Sequence, residues 1–176
     1  MPRIIREAAI TWEGNVARGV GTISAASSSA FSGLPFSAAT RIGVPEGKTS
    51  PEELLAAAHG GCFAMSLAGE LSRSGTPPER LDVRCVVTMD EVEGKGHQIV
   101  HSEIEARGTV PDCDEAAFAQ AAEAADAGCS FSALIRASAT VAVSASLRSS
   151  RYTCNYRKNW IRKITLCSIL FECLRY

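Results

Sequence analysis

The sequence is poor in the features that announce most functions. It has no Cys-x-x-Cys pair, and no cysteine pair stands near a histidine at zinc-finger spacing. It has no glycine-rich phosphate loop after a strand and no internal repeat. Its unbroken apolar runs fall far short of the ~20 residues that a membrane-spanning helix needs, which excludes a bundle of such helices. Aromatic residues make up 6% of the chain, and the formal net charge is −1. The start, MPRIIREAAITW, has basic residues without a following apolar core and cleavage site, so cytoplasmic residence is the expectation. What is present, 46% apolar and 21% charged residues in 176, excludes a disordered chain and fits one domain of ordinary size with an appendage.

The near-zero charge is a cancellation. Residues 1–147 carry 11 Lys and Arg against 18 Asp and Glu, while residues 148–176 carry 7 against 1. All three tyrosines lie in that last segment. The expected organisation is therefore an acidic domain over 1–147 and a basic, aromatic tail over 148–176. Three readings of the tail stay open. It binds nucleic acid or an anionic membrane. It docks on the body through Trp160, Ile161, Ile164 and Leu170. Or it is the product of a frameshift or read-through with no evolved role, the reading favoured here. Neither a nucleic-acid nor a membrane partner is expected.

Seven cysteines, an odd number without an export signal, argue against a secreted disulfide framework. They are Cys62, Cys85, Cys113, Cys129, Cys154, Cys167 and Cys173. Taken one by one, most such thiols are small core residues.

Along the body, IIREAAITW (4–12) and VARGVGTIS (16–24) read as a hairpin around Gly14, residues 26–36 as a loop, and 37–43 as a further strand. Ser50-Pro51-Glu52-Glu53 is a strong helix start. Ser50 can cap it, Pro51 suits its first position, and Glu53 completes a capping box. The run to about Ser74 is apolar nearly all round, which predicts burial on most sides. Gly60-Gly61 within it marks either tight packing or a local break. LDVRCVVTMDEV (81–92) and HQIVHSEIEARGTV (97–110) form a hairpin around Gly94-Lys95-Gly96. An alanine-rich helix follows over 115–128, then a short segment SFSALIRA, then a strand over 138–147. Grouped strands interrupted by helices define an α+β class with a mostly antiparallel sheet.

Cys62 has His59 one turn before it, and Cys129 follows a break at Gly128, where the start of a new helix would lower its pKa. The motifs around both thiols resemble a known family. TSPEELLAAAHGGCFAMSL (49–67) and AGCSFSALIRASATVAVS (127–144) look like the two cysteine regions of the OsmC/Ohr family of thiol-dependent hydroperoxide reductases. Trp12-Glu13-Gly14, RGVGTIS (18–24) and PFS…TR (35–41) have the order seen in the OsmC branch. The resemblance covers residues 5–147.

The resemblance implies an intertwined homodimer with a buried central helix, and a peroxidase of organic hydroperoxides. Cys62 would be the peroxidatic thiol and Cys129 the resolving thiol, closing to a disulfide that an external dithiol of the dihydrolipoyl type reopens. Arg41 would hold Cys62 as thiolate, and Glu52 would orient Arg41. No resident cofactor or metal is implied. Glu52 and Cys62 stand ten residues apart in one helix, about 15 Å. One arginine head serves both only if the helix breaks at Gly60-Gly61, if it bridges part of the way, or if the site is shared between subunits.

Ser130 stands where the family usually has proline, a change expected to affect the helix start and not the thiol. His59 reads as a packing or hydrogen-bonding residue rather than a proton shuttle. His97 and His101 read as solvent-facing, Cys85 as core and Cys113 as an exposed bystander. Two other readings remain: a redox sensor or ligand-binding module on the same fold, and a scaffold whose thiols are inert.

Overall fold

The computed structural model describes residues 2–148. The tail beyond Arg148, with the readings made of it, lies outside the described residues.

An N-terminal antiparallel sheet comprises β1 (Ala8–Glu13), β2 (Val20–Ala25) and β3 (Leu34–Phe36), in that order. β1 pairs with β2 so that Trp12 faces Gly21, and Gly21 in turn pairs with Phe36. The Trp12 and Phe36 rings close over that glycine at 5.4 Å between centroids. A Cβ at position 21 would lie 2.4 Å from the Phe36 ring, so only glycine fits.

The chain then departs from the expected strand over 37–43. Residues Ala38–Ile42 form a short helix, α1, because Ser37 adopts an extended conformation and its hydroxyl accepts the Thr40 N–H at 3.2 Å. The stretch expected to be a loop contains β3, which supplies the third strand instead. The first two strands also start later than their β-friendly composition suggests, at Ala8 and Val20.

α2 (Pro51–Arg73) begins as the sequence requires, with the Ser50 hydroxyl accepting the Glu53 N–H at 3.1 Å. It is unbroken for 23 residues. By length and composition alone it could cross a membrane. It serves here as the core helix, burying a stripe at every fourth residue: His59, Phe63, Leu67 and Leu71. Gly60 explains the close seat, since a Cβ there would come within 3.1 Å of Cys85 Cβ on the sheet below. Tight packing, not a break, is the reason for the glycine. The expectation of burial on most sides does not hold within one chain, because Met65 on the opposite face is 73% exposed.

The main sheet contains β4 (Arg80–Val92), β5 (Gly96–Thr109) and β6 (Thr140–Leu147) in that order. β4 and β5 are the expected hairpin, with a bulge between Thr88 and Met89. β6 runs parallel to β5 after a crossover through α3 (Glu115–Gly128) and α4 (Ser130–Arg136). α2 packs on β4, α3 packs on β6, and the two helices pack on each other. Phe63, Leu67, Leu71, Ile104, Phe118, Ala125 and Cys129 fill the space between them. The α+β class stands, with two small sheets rather than one. Among the described residues, no strand of the N-terminal sheet packs extensively on this body.

Candidate active site

The stripe of α2 places Cys62 one residue from its buried edge, so the thiol is half-buried and reachable. The turn between α3 and α4 brings Cys129 to it. Cys129 is the N-cap residue of α4, fully buried, and its Sγ donates to Cys62 Sγ at 3.2 Å. Both thiols are free. A disulfide S–S bond is about 2.05 Å, so closure needs a shift of about 1 Å.

The two thiols are electrostatically unequal. Burial works against the Cys62 thiolate, but four hydrogen bonds outweigh it: from the Cys129 thiol, the Phe131 N–H, and the Ser130 hydroxyl and N–H. Cys62 is therefore held below the ordinary thiol range. Cys129 is pushed up, by burial first, although Ser132 partly offsets this. The start of α4 thus favours both thiolates, through Ser130 and Phe131 at Cys62 and through Ser132 and Phe131 at Cys129, but burial outweighs it at Cys129. This corrects the expectation drawn for Cys129. Ser130 also differs from expectation, because its hydroxyl lies 3.8 Å from Cys62 Sγ and favours the thiolate.

Arg41, at the end of α1, grips Glu52 in the first turn of α2. Its Nε lies 3.0 and 3.1 Å from the two carboxylate oxygens, and an Nη completes the pair. The Glu52 hydrogen bond raises the arginine pKa. Burial opposes the Glu52 carboxylate, yet Arg41 brings its pKa below the usual range. Arg41 also reaches Met89 Sδ at 3.3 Å. The pair lines an open cleft of about 380 Å³ with Lys48, Arg84 and Cys85. Cys62 does not line that cleft. The structure thus assembles the four expected residues as two pairs, thiol with thiol and arginine with glutamate, and leaves the pairs apart within one chain.

The remaining candidates fall into place around them. His59 is fully buried between Ser102 Oγ, 2.8 Å from Nδ1, and Ser132 Oγ, 2.9 Å from Nε2. Burial lowers its pKa. Cys85 is half-buried beside this group, 3.5 Å from Ser102 Oγ. Cys113 is also half-buried and rests against the core, not an exposed bystander. His97 is exposed beside Glu91, whereas His101 is partly covered and bonds Thr140 at 2.6 Å. Among the described residues, no group of three or more His, Cys, Asp or Glu is placed to hold a metal. Sequence reasoning missed Ser102 and Ser132. Ser132 carried a faint signal, three residues after Cys129 in the first turn of a helix.

The family model for OsmC-like protein matches residues 44–144, which contain both thiols. Peroxiredoxin OsmC of Escherichia coli is 35% identical over 130 residues, covering 74% of this chain and 89% of that protein. Among solved structures, an organic hydroperoxide resistance protein OsmC from Legionella pneumophila aligns with a TM-score of 0.64 at 18% identity. It covers 82% of this chain and 99% of its own. OhrB of Bacillus subtilis, an organic hydroperoxide resistance protein, aligns at 0.61 and 20% identity, covering 80% and 98%. With the paired thiols in matching motifs and the fold in common, the chain belongs to the OsmC-like protein family.

Proposed function

We propose that this protein is a thiol-dependent peroxidase that reduces organic hydroperoxides to alcohols through Cys62 and Cys129. The observation that carries the reading is the 3.2 Å hydrogen bond from the Cys129 thiol to Cys62 Sγ, with the two sulfurs shifted in opposite directions. A nucleophile needs a low pKa and access; a resolving thiol needs proximity and protection. The Escherichia coli relative is a peroxiredoxin, and the Legionella and Bacillus proteins are organic hydroperoxide resistance proteins, which supports the same chemistry.

In this reading the Cys62 thiolate attacks the O–O bond, forms a sulfenic acid and releases the alcohol. Cys129 then displaces the sulfenic oxygen as water and closes the disulfide. An external dithiol, of the dihydrolipoyl type, reopens it. The apolar surface of α2 around Cys62 favours an organic hydroperoxide over hydrogen peroxide. Free thiols on this scale suit a reducing compartment such as the cytoplasm.

The working unit in this proposal is a homodimer. α2 is unbroken, so the ten residues between Glu52 and Cys62 remain about 15 Å of helix. Among the described residues the N-terminal sheet has no extensive seat on its own body, so the apolar face that stabilises a small sheet is left uncovered. Ile10, Val20, Ile42 and Val44 are at least half exposed, as is Met65 on the free face of α2. A second copy covers these surfaces and sets Arg41 of one chain against Cys62 of the other, where the guanidinium stabilises the thiolate and the developing alkoxide.

The experiment is hydroperoxide consumption with a dithiol by the wild type, Cys62→Ser and Cys129→Ser. The first variant is expected to be inactive. The second is expected to lose turnover or to inactivate as Cys62 over-oxidises. Steady turnover by Cys62→Ser would overturn the assignment.

A further inference from the structure

The chemistry above uses four side chains and leaves one buried titratable group idle. His59 stands on α2 one turn before Cys62, with no exposed surface. Its ring is held at both nitrogens, by Ser132 Oγ at 2.9 Å and Ser102 Oγ at 2.8 Å, and both serines are themselves fully buried. Ser132 belongs to the first turn of α4, which Cys129 begins. Its hydroxyl and backbone N–H both favour the Cys129 thiolate, partly offsetting burial. A continuous polar line therefore runs through the core: Cys129, Ser132, His59, Ser102, and finally Cys85, 3.5 Å from Ser102 Oγ. Three buried polar side chains are a costly way to fill a core when apolar residues would serve packing alone.

The line ends on the thiol that needs a base. Cys129 is buried and protonated, yet only its thiolate can attack Cys62. Cys62 cannot be that base once its sulfur is oxidised. We infer that His59 is the proton acceptor for the resolving step: the Cys129 S–H, which bonds Cys62 Sγ in the reduced pair, turns to Ser132 once Cys62 is oxidised, and as the Cys129 sulfur attacks, its proton passes to the Ser132 oxygen while the Ser132 proton passes to His59 Nε2. This revises the reading of His59 as a packing residue alone. The inference rests on the peroxidase proposal only for the sulfenic acid on Cys62.

The step balances. The S–S bond forms and the S–O bond of the Cys62 sulfenic acid breaks. The Cys129 sulfur is oxidised and the Cys62 sulfur is reduced from the sulfenic level. The oxygen leaves as water, with its second proton taken from solvent on the half-exposed side of Cys62. His59 keeps Nδ1–H donated to Ser102, the tautomer that leaves Nε2 free to receive. When the external dithiol opens the disulfide at Cys62, Cys129 departs as thiolate and recovers its proton along the same line.

The surroundings suit a ring that charges transiently. Burial keeps it neutral beforehand, and hence able to accept. The charged groups that act on it are Asp126 of α3, which favours the imidazolium, and Arg136 of α4, which opposes it. These two are paired with each other through Asp126 Oδ2. Asp126 Oδ1 remains buried with no hydrogen-bond partner among the described residues. β4 contributes the Cys85 thiol, 3.8 Å from Nδ1, and β5 contributes the neutral Ser102.

The test follows closure of the Cys62–Cys129 disulfide by rapid acid quench and peptide mass, in the full chain, between pH 5.5 and 9. His59→Gln keeps hydrogen bonding but cannot take the proton, and Ser132→Ala removes the bridge. One arm starts with tert-butyl hydroperoxide and also traps the sulfenic acid with dimedone. The other starts from a methyl disulfide placed on Cys62 by methyl methanethiosulfonate, which needs no peroxide chemistry. Sulfenic acid formation is expected to be unchanged, whereas closure at pH 7 slows at least about tenfold in both variants, the lower reach of general-base catalysis. The slowed rates should climb with pH, so that the gap to the wild type narrows steadily toward pH 9. Closure at the wild-type rate, or slowed by one factor at every pH, overturns the relay, the latter marking a displaced sulfur. If His59→Gln fails to fold, Ser132→Ala decides. A wild type that forms no sulfenic acid sinks the peroxidase proposal alone, while the thiosulfonate arm still reads the relay.

Discussion

Subunit complementation tests the proposed sharing of the site directly. Arg41→Met removes the guanidinium, and Cys62→Ser removes the nucleophile. Each variant alone should be nearly inactive, since loss of one such electrostatic donor costs about 10²–10³ in rate. The geometry fixes what happens when they are combined. Along the unbroken α2, the Glu52 that grips Arg41 is about 15 Å from Cys62, so a chain's own guanidinium does not serve its own thiol. In a two-fold dimer the Cys62→Ser chain still offers its Arg41 to the intact Cys62 of the Arg41→Met chain. Random pairing of equal amounts makes about half of the dimers mixed, each with one of two sites complete, so activity recovers to about one quarter of wild type. The assay is peroxide consumption after co-expression with two different tags and purification through both, which isolates the mixed dimer at about one half. Mixed dimers as inactive as the parents would refute the argument, and so would a protein that stays monomeric at micromolar concentration with full activity.

Three further outcomes are expected. Ser130→Ala removes one long hydrogen bond to a partly exposed thiolate, worth about 0.5–1 kcal/mol after discounting for solvent. The pH profile of Cys62 alkylation should move upward, with a rate about two- to fivefold lower on its acid side; an unmoved profile would remove Ser130 from the site. Phe63→Ala empties the centre of the core and should lower the unfolding free energy by about 3–5 kcal/mol in denaturant titration; a change under 1 kcal/mol would mean that the core beneath α2 is not the stabilising one. A chain ended after Arg148 should keep its peroxidase activity. Arg148 is retained because its N–H donates to Gly108 O at 2.7 Å and its side chain pairs with Asp82. Loss of activity in a folded protein of that length would give the tail a part in function.

The helix start at Ser50-Pro51 and the β4–β5 hairpin were legible because each rests on neighbours in sequence. The two cysteine motifs were legible through their resemblance to a family. α1 was misread as a strand because five residues are too few to show a helical period, and they take their conformation from a single cap at Ser37. β3 was missed because a three-residue strand exists only through its pairing with β2. The errors at the site have the same origin. Ser130 was discounted as a change of helix start, yet its effect is felt by a sulfur 68 positions away in the chain.

The sequence by itself determined that this chain is α+β, that α2 begins at Pro51, and that Cys62 and Cys129 are the thiols to examine, since caps, periodicity and motifs are local properties of the chain. Only the tertiary structure decided that the two thiols meet with Cys129 buried behind Cys62, that Gly60 seats a helix rather than breaking it, and that His59 is bonded to Ser132 in the first turn of α4. Those outcomes depend on burial and on hydrogen bonds between residues 43 to 73 positions apart, where dielectric and distance, not order along the chain, set the energy.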